Sequence, residues 1–156
     1  MTLQTLDIPL CDAAATDALG ERLSAAAQIG DCILLKGQIG AGKSALARAF
    51  IRARLGPDTE VPSPTFTLVQ TYETADGDIW HADLYRLGDT QEAVELGLTE
   101  AFDTAITLIE WPDILGEMTP TDALIVELSV REDDHLAHLV FSDRWAQRIQ
   151  QIANDA

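Results

Sequence analysis

The segment CILLKGQIGAGKSALARAF, residues 32–50, constrains the fold more than any other part of the chain. Its start, Cys32 to Lys36, is a short apolar run of the kind found in parallel strands buried on both faces. Gly37-Gln38-Ile39-Gly40-Ala41-Gly42-Lys43-Ser44 then satisfies G-x-x-x-x-G-K-[ST] at every fixed position. From Lys43 the spacing becomes helical, with Ala45, Leu46, Phe50 and Ile51 on the inner side and Gly56-Pro57 ending the run. Strand, glycine loop and helix in that order form the parallel unit of an α/β sheet.

The loop has a chemical rationale as well as a structural one. Glycines let successive N–H groups turn inward around phosphate oxygens, in conformations a Cβ would obstruct. The first turn of the helix, through Ala45, adds free N–H groups and a positive dipole end. Lys43 supplies a point charge for the β- and γ-phosphates, and the Ser44 hydroxyl a ligand for Mg²⁺. The competing reading is a glycine turn that binds nothing. The flanking strand and helix are the context that favours a nucleoside triphosphate.

A phosphate site of this kind needs an acidic residue at the end of a second buried strand. Ala105-Ile106-Thr107-Leu108-Ile109 is such a strand, and Glu110 closes it. Glu110 is therefore expected to act at the metal, directly or through water, or to polarise the attacking water. No N-K-x-D guanine-reading motif occurs, which favours ATP over GTP. Arg131, just past a strand, and the residues before the first helix are candidates for contacting the base; a plain surface location is the alternative.

The remaining pattern completes the architecture. Residues 12–28 read as a helix capped at Asp12 or Thr16 and stopped at Gly30. FTLVQTY and DIWHADLY flank the turn signal Asp76-Gly77, which predicts a hairpin. Residues 89–103 read as one or two short helices with Thr90 and Thr99 as caps. ALIVELSV and HLAHLVFS predict a second hairpin, and Ser142-Asp143 opens a terminal helix carrying Trp145, Ile149 and Ile152 on one side. The expected fold is a P-loop NTPase-like, three-layer α/β/α domain spanning residues 1–156, with a mixed, partly parallel sheet.

Composition removes several function classes. The chain carries 26 acidic and 10 basic residues, a net charge of −16, and its only lysines are Lys36 and Lys43. Autonomous nucleic-acid binding needs clustered Lys and Arg, so it is not expected. Acidity of this kind serves solubility or meets a basic partner. No apolar stretch approaches the ~20 residues of a membrane helix, and no signal-peptide pattern opens the chain. Cys11 and Cys32 form neither a metal spacing nor a disulfide framework. A cytoplasmic protein is expected.

Two further clusters carry polar groups. VPSPTFTLV, residues 61–69, offers Ser63 and Thr65 between prolines, either as a switch that senses the γ-phosphate or as a rigid loop entering a strand. HADLYR, residues 81–86, would place His81, Asp83 and Tyr85 on one strand face. His81 alone reads as a hydrogen-bonded structural residue. Trp111 reads as a buried structural tryptophan, or as a cover for the nucleotide.

GQIGAGKS, SPTF, HADLYRL, ELG (95–97) and IEWPD occur here in the order and approximate spacing of the bacterial TsaE family, also called YjeE, which the chain resembles to about residue 113. The resemblance implies a small P-loop ATPase required for threonylcarbamoyladenosine, a modified base beside the anticodon of tRNAs that read ANN codons. It implies partnership with a TsaB–TsaD complex, reset for further turnovers by ATP hydrolysis. It assigns phosphate and Mg²⁺ to Lys43 and Ser44, and the Walker B-like role to Glu110. Ser63, Pro64 and Thr65 match its first switch, and Asp83 the acid of its second conserved segment. Ser44 and Ala45 depart from the Thr and Thr/Ser common there, but the Ser44 hydroxyl is kept. Two other classes stay open: a small-molecule kinase, weakened by the lack of any Lys or Arg over residues 87–130, and a nucleotide-dependent binding module with negligible hydrolysis.

Overall fold

The computed structural model describes residues 2–154. Seven strands form one sheet: β1 (Gln4–Leu10), β2 (Cys32–Gly37), β3 (Val69–Thr74), β4 (Gly77–Asp83), β5 (Ala105–Glu110), β6 (Leu124–Val130) and β7 (His135–Phe141). Their order across the sheet is β1-β7-β6-β2-β5-β4-β3. The four central strands, β6-β2-β5-β4, run parallel, and β3, β7 and β1 are added antiparallel at the two sides. The mixed, partly parallel α/β sheet expected from the sequence is present.

Five α-helices cover both faces: α1 (Ala13–Ala26), α2 (Lys43–Leu55), α3 (Thr90–Glu95), α4 (Leu98–Thr104) and α5 (Asp143–Asn154). On one face Leu19 and Leu23 of α1, Phe50 and Ile51 of α2, and Trp145 and Ile149 of α5 pack on Ile33, Leu108, Val126 and Leu139. On the other, Ala93 of α3, Leu98 of α4 and Leu115 of a 3₁₀ segment (Pro112–Met118) pack on Cys32, Leu34, Ala82 and Ile109. β5 is buried along its whole length, as its unbroken apolar run requires.

Two glycines and one arginine hold α1 and α2 in place. A Cβ on Gly20 would lie 2.7 Å from the Leu46 carbonyl oxygen and 2.9 Å from the Ala49 Cβ, so the helices cross where α1 has no side chain. Arg54 at the end of α2 donates to the carbonyls of Ser24 (2.7 Å) and Ala27 (2.5 Å), satisfying the open C-terminus of α1. Gly56 ends α2, as expected.

Several local expectations are corrected. β1 is not legible in QTLDIPL: its outer face is exposed and Pro9 interrupts the pattern, so it is an edge strand defined by its partner β7. α1 starts at the Asp12 cap, whose carboxylate accepts the Ala15 N–H at 2.8 Å, but stops at Ala26, capped by Ala27 and not by Gly30. The hairpin turn is Ala75-Asp76, with Gly77 opening β4. The caps of α3 and α4 are Asp89 and Gly97 in place of Thr90 and Thr99. The Asp89 carboxylate accepts the Glu92 N–H at 3.0 Å, leaving Thr90 to donate to the Ile114 carbonyl at 2.8 Å.

Candidate functional site

Parallel register brings the charged residues together. β5 pairs with β2 so that Glu110 lies opposite Leu35, two residues before Gly37, and with β4 so that Glu110 lies opposite Asp83. Glu110, His81 and Asp83 share the side-chain parity of Leu108, Ile106 and Ile79, so all three face the α2 layer. The carboxyl ends of the central strands are where α/β sheets form ligand crevices.

The glycine loop closes this crevice. Gly37, Gly40 and Gly42 have φ of +139°, +86° and +105°, left-handed values that favour glycine. At Gly37 space is also absent: a Cβ would sit 2.3 Å from the Leu128 carbonyl oxygen of β6. Gly42 is the N-cap of α2 and brings no side-chain acceptor to its first N–H groups. Gln38, Ile39, Gly40 and Gly42 of the loop border one cavity of about 310 Å³, together with Lys43, Ser44, Thr65, Asp83 and Glu110.

Lys43 and Glu110 are nearly inaccessible, at 5% and 3% exposure. The Lys43 ammonium donates to the Gly37 carbonyl and, at 3.3 Å, to that of Gln38. It also lies 3.8 Å from the centroid of the Trp111 ring. Burial pulls the Lys43 ammonium below its ordinary value, against the opposing pull of the Glu110 and Asp83 carboxylates. Ser44 Oγ donates to Glu110 Oε1 at 3.2 Å, so hydroxyl and carboxylate already converge as two hard oxygen ligands for a small divalent cation would. Among the described residues no group of three or more His, Cys, Asp or Glu side chains forms a metal cage. A Mg²⁺ bound through one or two protein oxygens and substrate phosphates does not need one.

The SPTF segment reaches the same place. Ser63 Oγ and Thr65 Oγ1 are 2.8 Å apart, and Thr65 Oγ1 donates to Asp83 Oδ2 at 3.2 Å. The other Asp83 oxygen accepts the Tyr85 N–H at 3.0 Å. Phe66 beside them is 82% exposed, with the Arg86 guanidinium 5.2 Å from its ring centroid.

Gln38, Ile39, Gly40, Gly42, Lys43, Ser44, Ala45, Thr65, Asp83 and Glu110 all border the cavity, while Gly37 and Ala41 hold its loop from behind. Arg131 does not join them. It borders a neighbouring cavity of about 460 Å³ between the start of α1 and the β6–β7 turn, which shares only Gly42 and Ala45 with the first. There its guanidinium makes two 2.7 Å bonds to Asp134. Tyr85 is not on the His81–Asp83 face; β4 ends at Asp83, and Tyr85 turns outward to stack near Trp111 at 4.9 Å between centroids. Trp111 is only partly buried, in a left-handed conformation with φ of +56°, and is not a core tryptophan. Sequence reasoning missed the link from His81 to Glu110: alternation put His81 on the right face, but its partner depends on a strand register that no local signal records.

Comparison with known proteins identifies the family. The family profile described as "Threonylcarbamoyl adenosine biosynthesis protein TsaE" matches residues 10–138. A tRNA threonylcarbamoyladenosine biosynthesis protein TsaE of Rickettsia bellii is 44% identical over 102 residues, 65% of this chain and 71% of the relative. TsaE of Rickettsia felis is 38% identical over 119 residues, 76% and 70% of the two chains. TsaE of Bacillus subtilis is 34% identical over 120 residues, 76% and 74%. A crystal structure of Bacillus subtilis YdiB superposes with a TM-score of 0.82 over 99% of this chain and 98% of that one, at 22% identity, and so shares the fold. The profile spans the glycine loop, the SPTF and HADLYR segments and Glu110 together, and the chain belongs to the TsaE family of threonylcarbamoyladenosine biosynthesis proteins.

Proposed function

We propose that this chain is a single-domain, Mg²⁺-dependent ATPase of the cytoplasm that serves threonylcarbamoyladenosine modification as an accessory subunit, docking on a TsaB–TsaD-type complex and resetting it through ATP hydrolysis. The observation that carries this reading is the convergence of Ser44 and Glu110, 3.2 Å apart, on a cavity that the glycine loop also borders.

In this reading the loop amides from Gln38 to Ala45 and the Lys43 ammonium bind the phosphates. Ser44 and Glu110 hold Mg²⁺, which when bound neutralises charge on the β- and γ-phosphates. Asp83, positioned by Thr65, orients the attacking water. Arg131, which borders the neighbouring cavity of about 460 Å³ that also reaches Gly42 and Ala45, takes the base. A buried lysine held over an indole is ready to exchange two backbone carbonyls for phosphate oxygens. The kinase alternative lacks its main requirement, since no Lys or Arg occurs over residues 87–130 to build a lid.

The acid-rich composition, net −16, fits docking on proteins in preference to tRNA. Among the described residues no helix is long and apolar enough to cross a membrane.

The decisive experiment combines two measurements. Purified protein is assayed for Mg²⁺-dependent ATP hydrolysis, alone and with a TsaB–TsaD pair, and co-elution of the three chains is followed with and without ATP. In cells, depletion is followed by mass spectrometry of tRNA nucleosides. Loss of threonylcarbamoyladenosine is expected; a normal level would refute the assignment.

A further inference from the structure

His81, buried against Glu110, has no role in the reading above. His81 is 1% exposed, and its Nε2 lies 2.6 Å from Glu110 Oε2. Ser44 engages the other carboxylate oxygen, Oε1, at 3.2 Å. Ser44 Oγ also reaches Oε2, at 3.5 Å, but is nearer Oε1, while His81 holds Oε2 alone at the short distance. With Glu110 Oε2 as the acceptor, His81 Nε2–H is the donor across the 2.6 Å contact. His81 Nδ1 is buried without a protein partner among the described residues, as suits a nitrogen that carries a lone pair and no proton. One tautomer therefore satisfies the geometry.

We propose that His81 is a positioning residue: through an Nε2–H bond to Oε2 it fixes the rotamer of Glu110, so that Oε1 is presented to a divalent cation together with Ser44. This inference rests on the ATPase reading and extends it from the residues lining the cavity to the group behind them. Two features support a built arrangement. β4 and β5 are locked in parallel register, with His81 opposite Leu108 and Asp83 opposite Glu110, so His81 approaches the carboxylate diagonally from the adjacent strand. The Leu84 N–H also donates to the Glu110 carbonyl at 3.0 Å, tying the backbone of one strand to the other just past the pair. A residue that merely filled space here would be apolar, as Ile79 and Leu108 are on the same face. Hydrogen-bond partners of metal-binding carboxylates typically change metal affinity or activity by ~10–100-fold when removed.

The test uses the full chain and a fluorescent ADP analogue, titrated with Mg²⁺. His81→Ala should weaken the Mg²⁺ dependence of nucleotide binding by roughly 10–100-fold while leaving Mg²⁺-independent affinity near wild type. His81→Gln, whose Nε2 can donate in the same place, should recover most of that loss. Independently, ¹⁵N spectra of the histidine-labelled protein without nucleotide should show His81 as the Nε2–H tautomer, with its proton protected from exchange and that protection lost in Glu110→Ala. Wild-type Mg²⁺ dependence in His81→Ala, or an Nδ1–H tautomer in the native protein, overturns the proposal and leaves the ATPase reading standing. Absence of Mg²⁺-dependent nucleotide binding in the native protein overturns both.

Discussion

Lys43 ties the glycine loop to the cavity it borders. Its ammonium is buried, shares the carbonyls of Gly37 and Gln38, and rests on the Trp111 face. Replacing it with alanine removes a charge-assisted contact worth about 1.5–3 kcal/mol, so Lys43→Ala is expected to lower nucleotide affinity roughly 10–100-fold, measured by equilibrium titration. Glu110→Ala should act differently. It keeps the loop amides and Lys43, so hydrolysis is expected to fall by at least ~100-fold while metal-free nucleotide binding changes little; equal losses in both would remove Glu110 from the metal site. The convergence of Lys43, Ser44 and Glu110 on one cavity was legible in the sequence because they are tied to a fixed spacing and to the end of an apolar strand. The surroundings of Trp111 were not, since burial depends on what Tyr85 and Lys43 bring to it from distant segments.

At the level of elements, α5 is attached by a buried carboxylate. Asp31, fully buried just before β2, accepts from Arg144 at 2.7 Å and Arg148 at 2.6 Å, both on α5. Burial alone would raise the Asp31 carboxyl. The bonds from Arg148, the Gln28 N–H and Arg144 outweigh it and hold the group below its ordinary 3.8. A depressed folded value means that this stabilisation is complete above the unfolded pKa and disappears as pH falls through the folded one. Acid unfolding below about pH 4 should therefore include a component that Asp31→Asn lacks. That variant should also lose about 2–3 kcal/mol in denaturant melts at neutral pH, less than a fully buried pair because both arginines keep access to water. Gly20→Ala tests the α1–α2 crossing: the added methyl meets the Leu46 carbonyl, and a loss of ~1–3 kcal/mol is expected. α5, with its strong periodicity, and α2, fixed by the glycine loop before it and Gly56 after it, were readable from sequence. The caps of α3 and α4 were misread because Asp89 and Gly97 stand directly before the helical residues while threonines inside the first turn mimic the signal.

For the whole molecule, the strands and helices could be read locally, but the sheet order β1-β7-β6-β2-β5-β4-β3 could not. Nothing in CILLK states that its neighbours are residues 105–110 and 124–130, and β1 exists only through β7. The site inherits this dependence, because the loop is braced by β6 and faced by β4 and β5. Ligand binding should consequently stabilise the entire fold. Mg²⁺–ATP at 100 times its dissociation constant adds about 2.7 kcal/mol, which for a chain of this size raises Tm by roughly 5–10 °C; Lys43→Ala should show little of that shift in a thermal melt.

The central place of β2 also orders events at the ribosome. The glycine loop leaves the ribosome early, but the strand that braces Gly37 belongs to residues 124–130, made several seconds later at ~5–20 residues per second. Until residues 105–110 emerge β2 has neither neighbour, and until 124–130 follow it can pair only with β5, so it presents open edges, the kind of surface that invites pairing with another chain. β1, among the first residues synthesised, waits longer still, for β7. A nascent chain of this protein thus carries its glycine loop well before it can hold it, and folding of the candidate site is finished by the last third of the polypeptide to be translated.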